Sequence, residues 1–146
     1  MELTTDQRGV IAEAEIAAAA IKVGVGVYKP LSDGDRYDLI FDVSSQLVRV
    51  QCKWSPLHGE VVVVRCYSAR RAREGLRRPK YCSAEVDVIA AYCAELDRCF
   101  LLHAAQFDNR SQLLLRIGPS RNNRRLGINW AEDFEFVARL TALLGP

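Results

Sequence analysis

The sequence predicts a single α/β domain, and three features predict it. An alanine-rich segment with helical periodicity comes first, at about residues 5–23. Short segments typical of strands follow at about residues 25–28, 37–43, 47–54, 61–66, 86–92, 98–103 and 112–117. A second helical pattern closes the chain at about residues 130–144. The chain has 146 residues, of which 49% are hydrophobic and 26% charged, so we expect one domain spanning residues 1–146.

Each helix has a predicted buried face. In the first helix, small side chains would allow close approach to a sheet, and Gly24 sits where a helix commonly ends. The residues predicted to face the core there are Val10, Ala14, Ala17, Ala18 and Ile21. Asn129 is the candidate N-cap of the last helix. Its predicted inner side consists of Phe134, Val137, Ala138 and Leu140 or Thr141.

Composition excludes several classes of protein. No apolar stretch reaches the roughly 20 residues of a membrane span, and the first residues lack the basic and apolar regions of a secretory signal. The cysteine count is five, with neither a C-x-x-C pair nor closely following histidines. We therefore expect an intracellular, cytoplasmic protein without a disulfide framework or a zinc knuckle.

Charge is unevenly distributed along the chain. The net charge is +2, yet residues 65–80 hold seven basic residues against Glu74, and residues 116–125 hold four arginines without an acid. Arginine suits phosphate oxygens, so a polyanionic partner is expected. The alternative is a solvated, arginine-rich surface loop. The candidate DNA contacts are Arg70, Arg71, Arg73, Arg77, Arg78 and Lys80, followed by Arg121, Arg124 and Arg125.

A hairpin brings polar residues together. Residues 37–43 and 47–54 alternate strictly, and Ser44-Ser45 is predicted to form the turn. With that turn at the centre, Asp38 faces Gln51. Leu39, Phe41, Val43, Val48, Val50 and Cys52 then form the apolar face. A slip of one residue would separate the polar groups, so the predicted site depends on this register.

These residue types suit phosphodiester hydrolysis. A hard cation such as Mg²⁺ takes oxygen ligands, which Asp38, Gln51 and the main-chain carbonyl of Cys52 can supply. Such an ion activates water and stabilises charge on the phosphate, while Lys53 can orient the nucleophile or compensate that charge. Glu13 would add a second carboxylate from the first helix. Taken alone, the spacing D-x(12)-Q-x-K also arises on ordinary alternating strands.

A wider resemblance accompanies these residues. The motifs are Glu13, Arg36-Tyr37-Asp38-Leu39-Ile40 and Val50-Gln51-Cys52-Lys53-Trp54, with further likeness at residues 85–93, 113–116, 122–125 and 128–134. Together they resemble the PD-(D/E)XK nuclease superfamily, and within it the group I intron-associated homing endonucleases, where glutamine replaces the second acidic residue. The resemblance covers nearly the whole chain.

The resemblance implies a restriction-endonuclease-like α-β-β-β-α-β core, with a mixed central sheet flanked by helices. It also implies cleavage of double-stranded DNA with Mg²⁺, for which Mn²⁺ can substitute, and products with 5′-phosphate ends. By the same resemblance Asp38 and Gln51 are metal ligands, Lys53 is the catalytic lysine and Glu13 is the helical acid. Gln51 leaves the site one charge short of the general superfamily pattern.

Other acidic residues compete for a role. Glu15 lies about 200° around the helix from Glu13, so only one of them can face the hairpin, and the family spacing favours Glu13. Asp42 lies nearer the turn, where a solvated role is expected. Asp33 and Asp35 could hold a second metal ion, although Asp-Gly is first a turn signal. For Asp87 the favoured interpretation is a structural pair with an arginine.

The sequence thus predicts a metal-dependent endonuclease acting on double-stranded DNA. Because one such site cuts one strand, we expect a homodimer or homotetramer, associated with the nucleoid when bound to DNA. One alternative is a nucleic-acid-binding module of the same fold with weak or absent catalysis. The other is a nuclease of the Holliday-junction-resolvase or repair type.

Overall fold

The computed structural model describes residues 2–32, 34–67, 70–72, 75–77, 80–119 and 127–143. In these residues the helices are α1 (Thr5–Lys22), α2 (Ala104–Phe107) and α3 (Phe136–Leu143), with a 3-10 helix at Ala131–Phe134. The strands are β1 (Gly26–Tyr28), β2 (Leu39–Val43), β3 (Gln46–Trp54), β4 (Leu57–His58), β5 (Val61–Arg65), β6 (Arg70–Ala72), β7 (Gly75–Arg77), β8 (Val88–Cys93), β9 (Arg98–His103) and β10 (Gln112–Arg116). No helix in these ranges is long and apolar enough to cross a membrane.

A mixed five-stranded sheet is the centre of the fold. Its order is β1-β2-β3-β8-β9, and only β3 and β8 pair in parallel, with Gln51 opposite Ile89 and Lys53 opposite Ala91. Every residue of β8 is buried, as expected for a strand covered on both faces. The predicted α/β class with a mixed central sheet is confirmed.

Different layers cover the two faces of this sheet. On one face, α1 and α3 pack over a core that includes Phe41, Val50 and Leu101. On the other face, Ile89 and Phe100 join a second core formed with a three-stranded sheet in the order β10-β5-β4 and with α2. Because strand residues alternate between faces, Val50 and Cys52 face the α1 side while Gln51 and Lys53 face the other.

The β2-β3 hairpin has the predicted register. Leu39 pairs with Val50 and Val43 with Gln46. Ser44 and Ser45 both have positive φ, at 49° and 67°, which is the backbone of a two-residue hairpin turn whose twist matches the strands. Asp38 continues the ladder just before β2, since its N–H donates to the carbonyl of Val50 at 2.8 Å. This register brings Asp38 beside Gln51.

The predicted buried face of α1 is wrong for three of its five residues, whereas Ala17 does pack against the core. Val10 and Ile21 are 67% and 60% exposed, and Ala14 is exposed as well. The residues buried against the sheet are instead Ala12, Ile16 and Ala20. The helix carries two apolar stripes at helical spacing, and only docking on the sheet decides which of them is buried. The buried face nevertheless carries small alanines, at Ala12 and Ala20.

The predicted last helix is divided in two. The 3-10 helix has Trp130, not Asn129, at its N-cap position, and Glu135 adopts an extended backbone before α3 begins. Phe134 and Phe136 are both buried, although residues two apart lie on different sides of a helix. The break allows both rings to enter a core. Val137, predicted to face inward, is exposed.

The connection from β3 to β8 contains strands in its described part. Strands β4 and β5 join the second sheet, and β6 and β7 form a separate antiparallel pair. The resemblance implies a helix in this connection, but its described residues contain strands instead. The sequence of the basic segment at residues 65–80 shows no clear periodicity that would have indicated either. The β6-β7 pair is called the basic hairpin below, and an isolated bridge between Tyr67 and Lys80 lies at its base. Tyr81 N–H also donates to Cys66 O at 3.1 Å, so the base of this hairpin adjoins the end of β5.

Candidate active site

Asp38 is the centre of the polar cluster on the β2-β3 hairpin. Its Oδ2 accepts hydrogen bonds from Gln51 Nε2 at 2.8 Å and from the backbone N–H of Cys52 at 2.9 Å. Burial raises the pKa of this carboxyl, and the nearby carboxylate of Glu13 raises it further, while the Cys52 N–H and the ammonium of Lys53 oppose the shift. The site therefore holds a partly desolvated carboxylate that gains from a cation.

Gln51 contacts two of the predicted metal ligands. Its Nε2 donates to Asp38 Oδ2 and, at 3.3 Å, to the carbonyl oxygen of Cys52. Amide hydrogens thus lie between two oxygens that could bind a cation. Rotation of the amide by half a turn exchanges Nε2 and Oε1 at nearly the same positions, which would present a third oxygen to the same space. The donor set therefore fits a hard divalent ion.

Glu13, on α1, lies near Asp38. Both line a cavity of about 140 Å³, together with Lys29, Asp35 and Tyr37 among others. Glu13 forms an ion pair with Lys29, which follows β1. Glu15 instead lines a different cavity beside Tyr92 and Cys99. The geometry thus places Glu13, and not Glu15, near the hairpin residues.

Acidic ligands are few in this site. In the described ranges, no group of three or more His, Cys, Asp or Glu side chains is arranged to hold a metal ion. Glu13 and Asp38 are two carboxylates, and the remaining predicted oxygens, from Gln51 and Cys52, are neutral. Asp35 lines the cavity, whereas Asp33, its predicted companion for a second ion, lies outside the described residues.

Lys53 is half-buried on the face opposite α1. Its Nζ donates to the backbone carbonyl of Tyr67 at 2.8 Å and lies 4.9 Å from the centroid of the Tyr81 ring. Burial lowers the pKa of Lys53 to about 8, although the carboxylate of Asp38 opposes this shift; the positive charges of Arg36 and Arg65 contribute to the lowering. Asp38 and Lys53 thus interact electrostatically across the site.

The predicted DNA contacts are described only in part. Arg70 and Arg71 lie on β6, and Arg77 lies on β7. Lys80 is exposed, and its Nζ donates to the Asn109 carbonyl at 3.4 Å. The remaining candidates lie outside the described residues: Arg73, Arg78, Arg121, Arg124 and Arg125. The base of the basic hairpin adjoins the site directly, because Lys53 bonds the carbonyl of Tyr67.

Two competing acids have other surroundings. Asp87 pairs with Arg49, with Nη2 at 2.9 Å from Oδ1 and Nε at 3.0 Å from Oδ2. The same guanidinium donates to the Ala84 carbonyl at 2.7 Å, which ties β3 to the segment that precedes β8. The predicted structural pairing of Asp87 with an arginine is confirmed. Asp42 is exposed near the turn, as expected for a solvated residue.

The sequence predicts no role for three residues near the site. Lys29 pairs with Glu13, while Arg36 and Tyr81 lie beside Lys53. Lys29-Pro30 is typical of the start of a turn-rich loop, and Tyr81 follows the basic run without any spacing that connects it to Lys53. Arg36 stands two residues before Asp38 and opens the motif at residues 36–40 that resembles the family, but that motif assigns it no role.

Comparison with known proteins identifies the family. A family model described as PD-(D/E)XK endonuclease matches residues 3–137. The chain therefore belongs to the PD-(D/E)XK endonuclease family and is a nuclease by that membership. The predicted resemblance to this family is confirmed.

A solved structure adds a particular relative. The bacterial homing endonuclease I-Ssp6803I shares 27% sequence identity, with a TM-score of 0.76 over 95% of this chain and 93% of that chain. Among curated proteins, no significant match is found. The likeness to a homing endonuclease thus extends over the whole fold, including the layers that surround the hairpin.

Proposed function

We propose that this protein is a metal-dependent endonuclease that hydrolyses phosphodiester bonds of double-stranded DNA in the manner of a homing endonuclease. The observation that carries the proposal is that Gln51 and the backbone N–H of Cys52 both donate to Asp38. Both donors lie on β3, directly before Lys53. Family membership and the likeness to I-Ssp6803I support the same reaction class. The adjoining basic hairpin supports DNA as the substrate.

Asp38, Gln51 and the carbonyl of Cys52 would hold a divalent ion, Mg²⁺ or in its place Mn²⁺. When bound, such an ion lowers the pKa of a coordinated water and stabilises charge on the phosphate. Glu13 is close enough to line the same cavity and would add a carboxylate, provided that Lys29 moves away from it. The desolvated Asp38 carboxylate attracts the cation, which makes up in part for the charge that Gln51 lacks.

Lys53 would act on the phosphate itself. Its ammonium is held on the side of β3 that carries Gln51, and it can donate to a non-bridging phosphate oxygen or orient the attacking water. A protonated amine in a half-buried position interacts strongly with developing negative charge, because little water screens it. Lys53 therefore contributes more to the transition state than to the binding of DNA.

Cleavage of both strands needs two copies of the site. A single chain provides one cluster, and one cluster cuts one strand at a time. We therefore propose a symmetric homodimer or homotetramer as the active form. Sedimentation measured with and without DNA tests this, since a protein that cuts both strands as a monomer would contradict it.

The reaction class can be tested without knowledge of the target. A randomised duplex library is incubated with the protein in Mg²⁺, Mn²⁺ or EDTA, and new 5′-phosphate ends are sequenced. If the protein is a homing-type endonuclease, new ends should form only with a metal ion, and the cut duplexes should share a sequence. Binding without ends in any metal would favour the DNA-binding module. Preferential cutting of four-way junctions over linear duplexes would favour the resolvase or repair alternative.

Salt should weaken DNA binding steeply. Each phosphate bound by a basic side chain contributes a slope of about −0.9 to the plot of log K against log salt concentration. We expect the double variant Arg70→Gln, Arg71→Gln to weaken binding of all duplexes and to make this slope shallower by about 1 for each phosphate that an arginine no longer neutralises. Fluorescence anisotropy over a salt series measures both. A wild-type slope near zero would remove the electrostatic basis for binding by the hairpin.

A glutamate at position 51 should make stability depend on metal. In Gln51→Glu an acceptor replaces the donor that faces Asp38 Oδ2 and Cys52 O, and the unpaired acceptors should cost about 1–3 kcal/mol of unfolding free energy in EDTA. A bound divalent ion reverses this loss, so Mg²⁺ should raise the melting temperature of the variant more than that of the wild type.

The matched control for this prediction is Gln46→Glu. Gln46 is an exposed residue at the other end of β3, so the control adds the same charge to the same strand away from the site. Thermal melts of the three proteins with Mg²⁺ and with EDTA provide the comparison. Equal responses of Gln51→Glu and Gln46→Glu to Mg²⁺ would contradict a metal site at Gln51.

A further inference from the structure

The ring of Tyr81 contacts two cations. Tyr81 is only 2% exposed, and its ring centroid lies 4.9 Å from Lys53 Nζ and 4.5 Å from the guanidinium carbon of Arg36. Aromatic faces attract cations at these distances, most strongly where water is excluded. Two positive charges thus contact one buried ring, and one of them is the Lys53 ammonium that the proposed reaction uses.

Arg36 is itself held in place by several contacts. Its Nη2 donates to the Lys80 carbonyl at 2.9 Å, and its Nε lies 3.2 Å from Glu85 Oε2. Its side chain is 17% exposed. Arg36 is therefore held against the Tyr81 ring, and it belongs to the segment that leads directly into Asp38. Contacts through Tyr81 and Arg36 thus connect Lys53 to the segment that carries Asp38. A second connection is the hydrogen bond from Cys52 N–H, on β3, to Asp38.

The lysine side chain needs such support. Four rotatable bonds separate its ammonium from the backbone, and holding one rotamer costs conformational entropy. The Tyr67 carbonyl directs one N–H, and the Tyr81 ring limits the direction from which the ammonium can approach. The two contacts come from the two chain segments that bound the basic hairpin. They keep the ammonium in one region of the site before DNA arrives.

We propose that Tyr81 is a positioning residue for Lys53, and that Arg36 supports this role by contacting the same ring. The inference rests on the proposed endonuclease function. It adds that the placement of the lysine depends on a buried ring supplied by the crossover segment, and not on β3 alone. Loss of the ring would leave DNA binding intact and reduce the rate at which bound DNA is cut.

The test compares variants of Tyr81 in single-turnover cleavage. Tyr81→Phe keeps the ring, whereas Tyr81→Leu keeps an apolar core residue and removes the ring. Misplacing a catalytic group by about 1 Å can cost about 100-fold in rate, so we expect Tyr81→Leu to cut about 10- to 100-fold more slowly. Its dissociation constant for DNA in EDTA should stay within about threefold of the wild-type value, because every basic side chain that could bind a phosphate is retained.

A merely structural role for Tyr81 makes different predictions. Phe107→Leu serves as the matched control, since Phe107 is fully buried in the same core and contacts neither cation. If Tyr81→Leu and Phe107→Leu slow cleavage equally for the same loss of melting temperature, the positioning role is overturned. Rescue by Tyr81→Phe, together with a slow Tyr81→Leu and a normal Phe107→Leu, supports it.

The same experiment separates this inference from the proposed function. A wild-type protein that leaves DNA uncut in Mg²⁺ and Mn²⁺ contradicts the endonuclease itself. A wild-type protein that cuts, with a Tyr81→Leu variant that cuts equally fast, contradicts only the positioning role. Arg36→Gln gives an independent reading, because it removes the guanidinium from the ring and should slow cleavage in the same direction as Tyr81→Leu.

Discussion

Replacement of Lys53 by methionine is expected to reduce DNA cleavage by at least about 100-fold, a loss comparable to that of one preorganised charge-stabilising donor. Methionine keeps the apolar stem and removes the ammonium that bonds the Tyr67 carbonyl and lies over the Tyr81 ring. The fold should persist, because burial already disfavours the charged form of this side chain and lowers its pKa to about 8. Single-turnover cleavage under conditions of saturated binding gives the rate.

DNA affinity is the control readout for the Lys53 variant. Removal of one charge among many basic residues should change the dissociation constant in EDTA by only a few-fold. Lys22→Met provides a matched variant, since Lys22 is an exposed lysine in the last turn of α1 and lines a different cavity. Wild-type cleavage by Lys53→Met would contradict the assigned role, and so would a loss of rate in Lys22→Met of the same size.

Replacement of Asp38 by asparagine should stabilise the protein and abolish cleavage. Burial raises the pKa of the Asp38 carboxyl above its ordinary value of 3.8. The folded state therefore holds the proton more tightly than the unfolded chain does, and stability falls as the pH rises from the unfolded pKa through the folded pKa. At neutral pH the ionised carboxylate is a cost, which asparagine removes while its oxygen still accepts from Cys52 N–H and Gln51.

Thermal melts at several pH values in EDTA measure this effect. Asp38→Asn should melt above the wild type at neutral pH, and the difference should shrink as the pH is lowered into the range where Asp38 is protonated. Asp42→Asn is the matched control, because Asp42 is exposed on the same hairpin. A lower melting temperature for Asp38→Asn at neutral pH would contradict the desolvated carboxylate, and retained Mg²⁺-dependent cleavage would contradict its role as a ligand.

The hairpin that carries the site could be predicted because its determinants are local. Strict alternation specifies which side chains share a face, and the Ser44-Ser45 turn fixes the register that opposes Asp38 and Gln51. Those two signals lie close together in the chain, within residues 37–54. The family resemblance then distinguished this pattern from an ordinary alternating strand.

Features that depend on tertiary docking could not be predicted from the sequence in the same way. The first helix carries one apolar stripe with Ile16 and another with Val10, and the packing of the sheet decides that only the first is buried. Likewise, the contacts of Lys53 with Tyr67 and Tyr81 form only when the basic crossover returns to the central sheet. The spacing of residues along the chain does not predict contacts made across the long connection between β3 and β8.

The most direct measurement of the proposed reaction is cleavage of a plasmid pool that carries randomised inserts. Wild-type protein and Lys53→Met are compared side by side, each with Mg²⁺ and with EDTA. An endonuclease at Asp38, Gln51 and Lys53 predicts new 5′-phosphate ends only for the wild type in Mg²⁺. Equal cutting by both proteins, or cutting that persists in EDTA, would contradict a metal-dependent nuclease at this site.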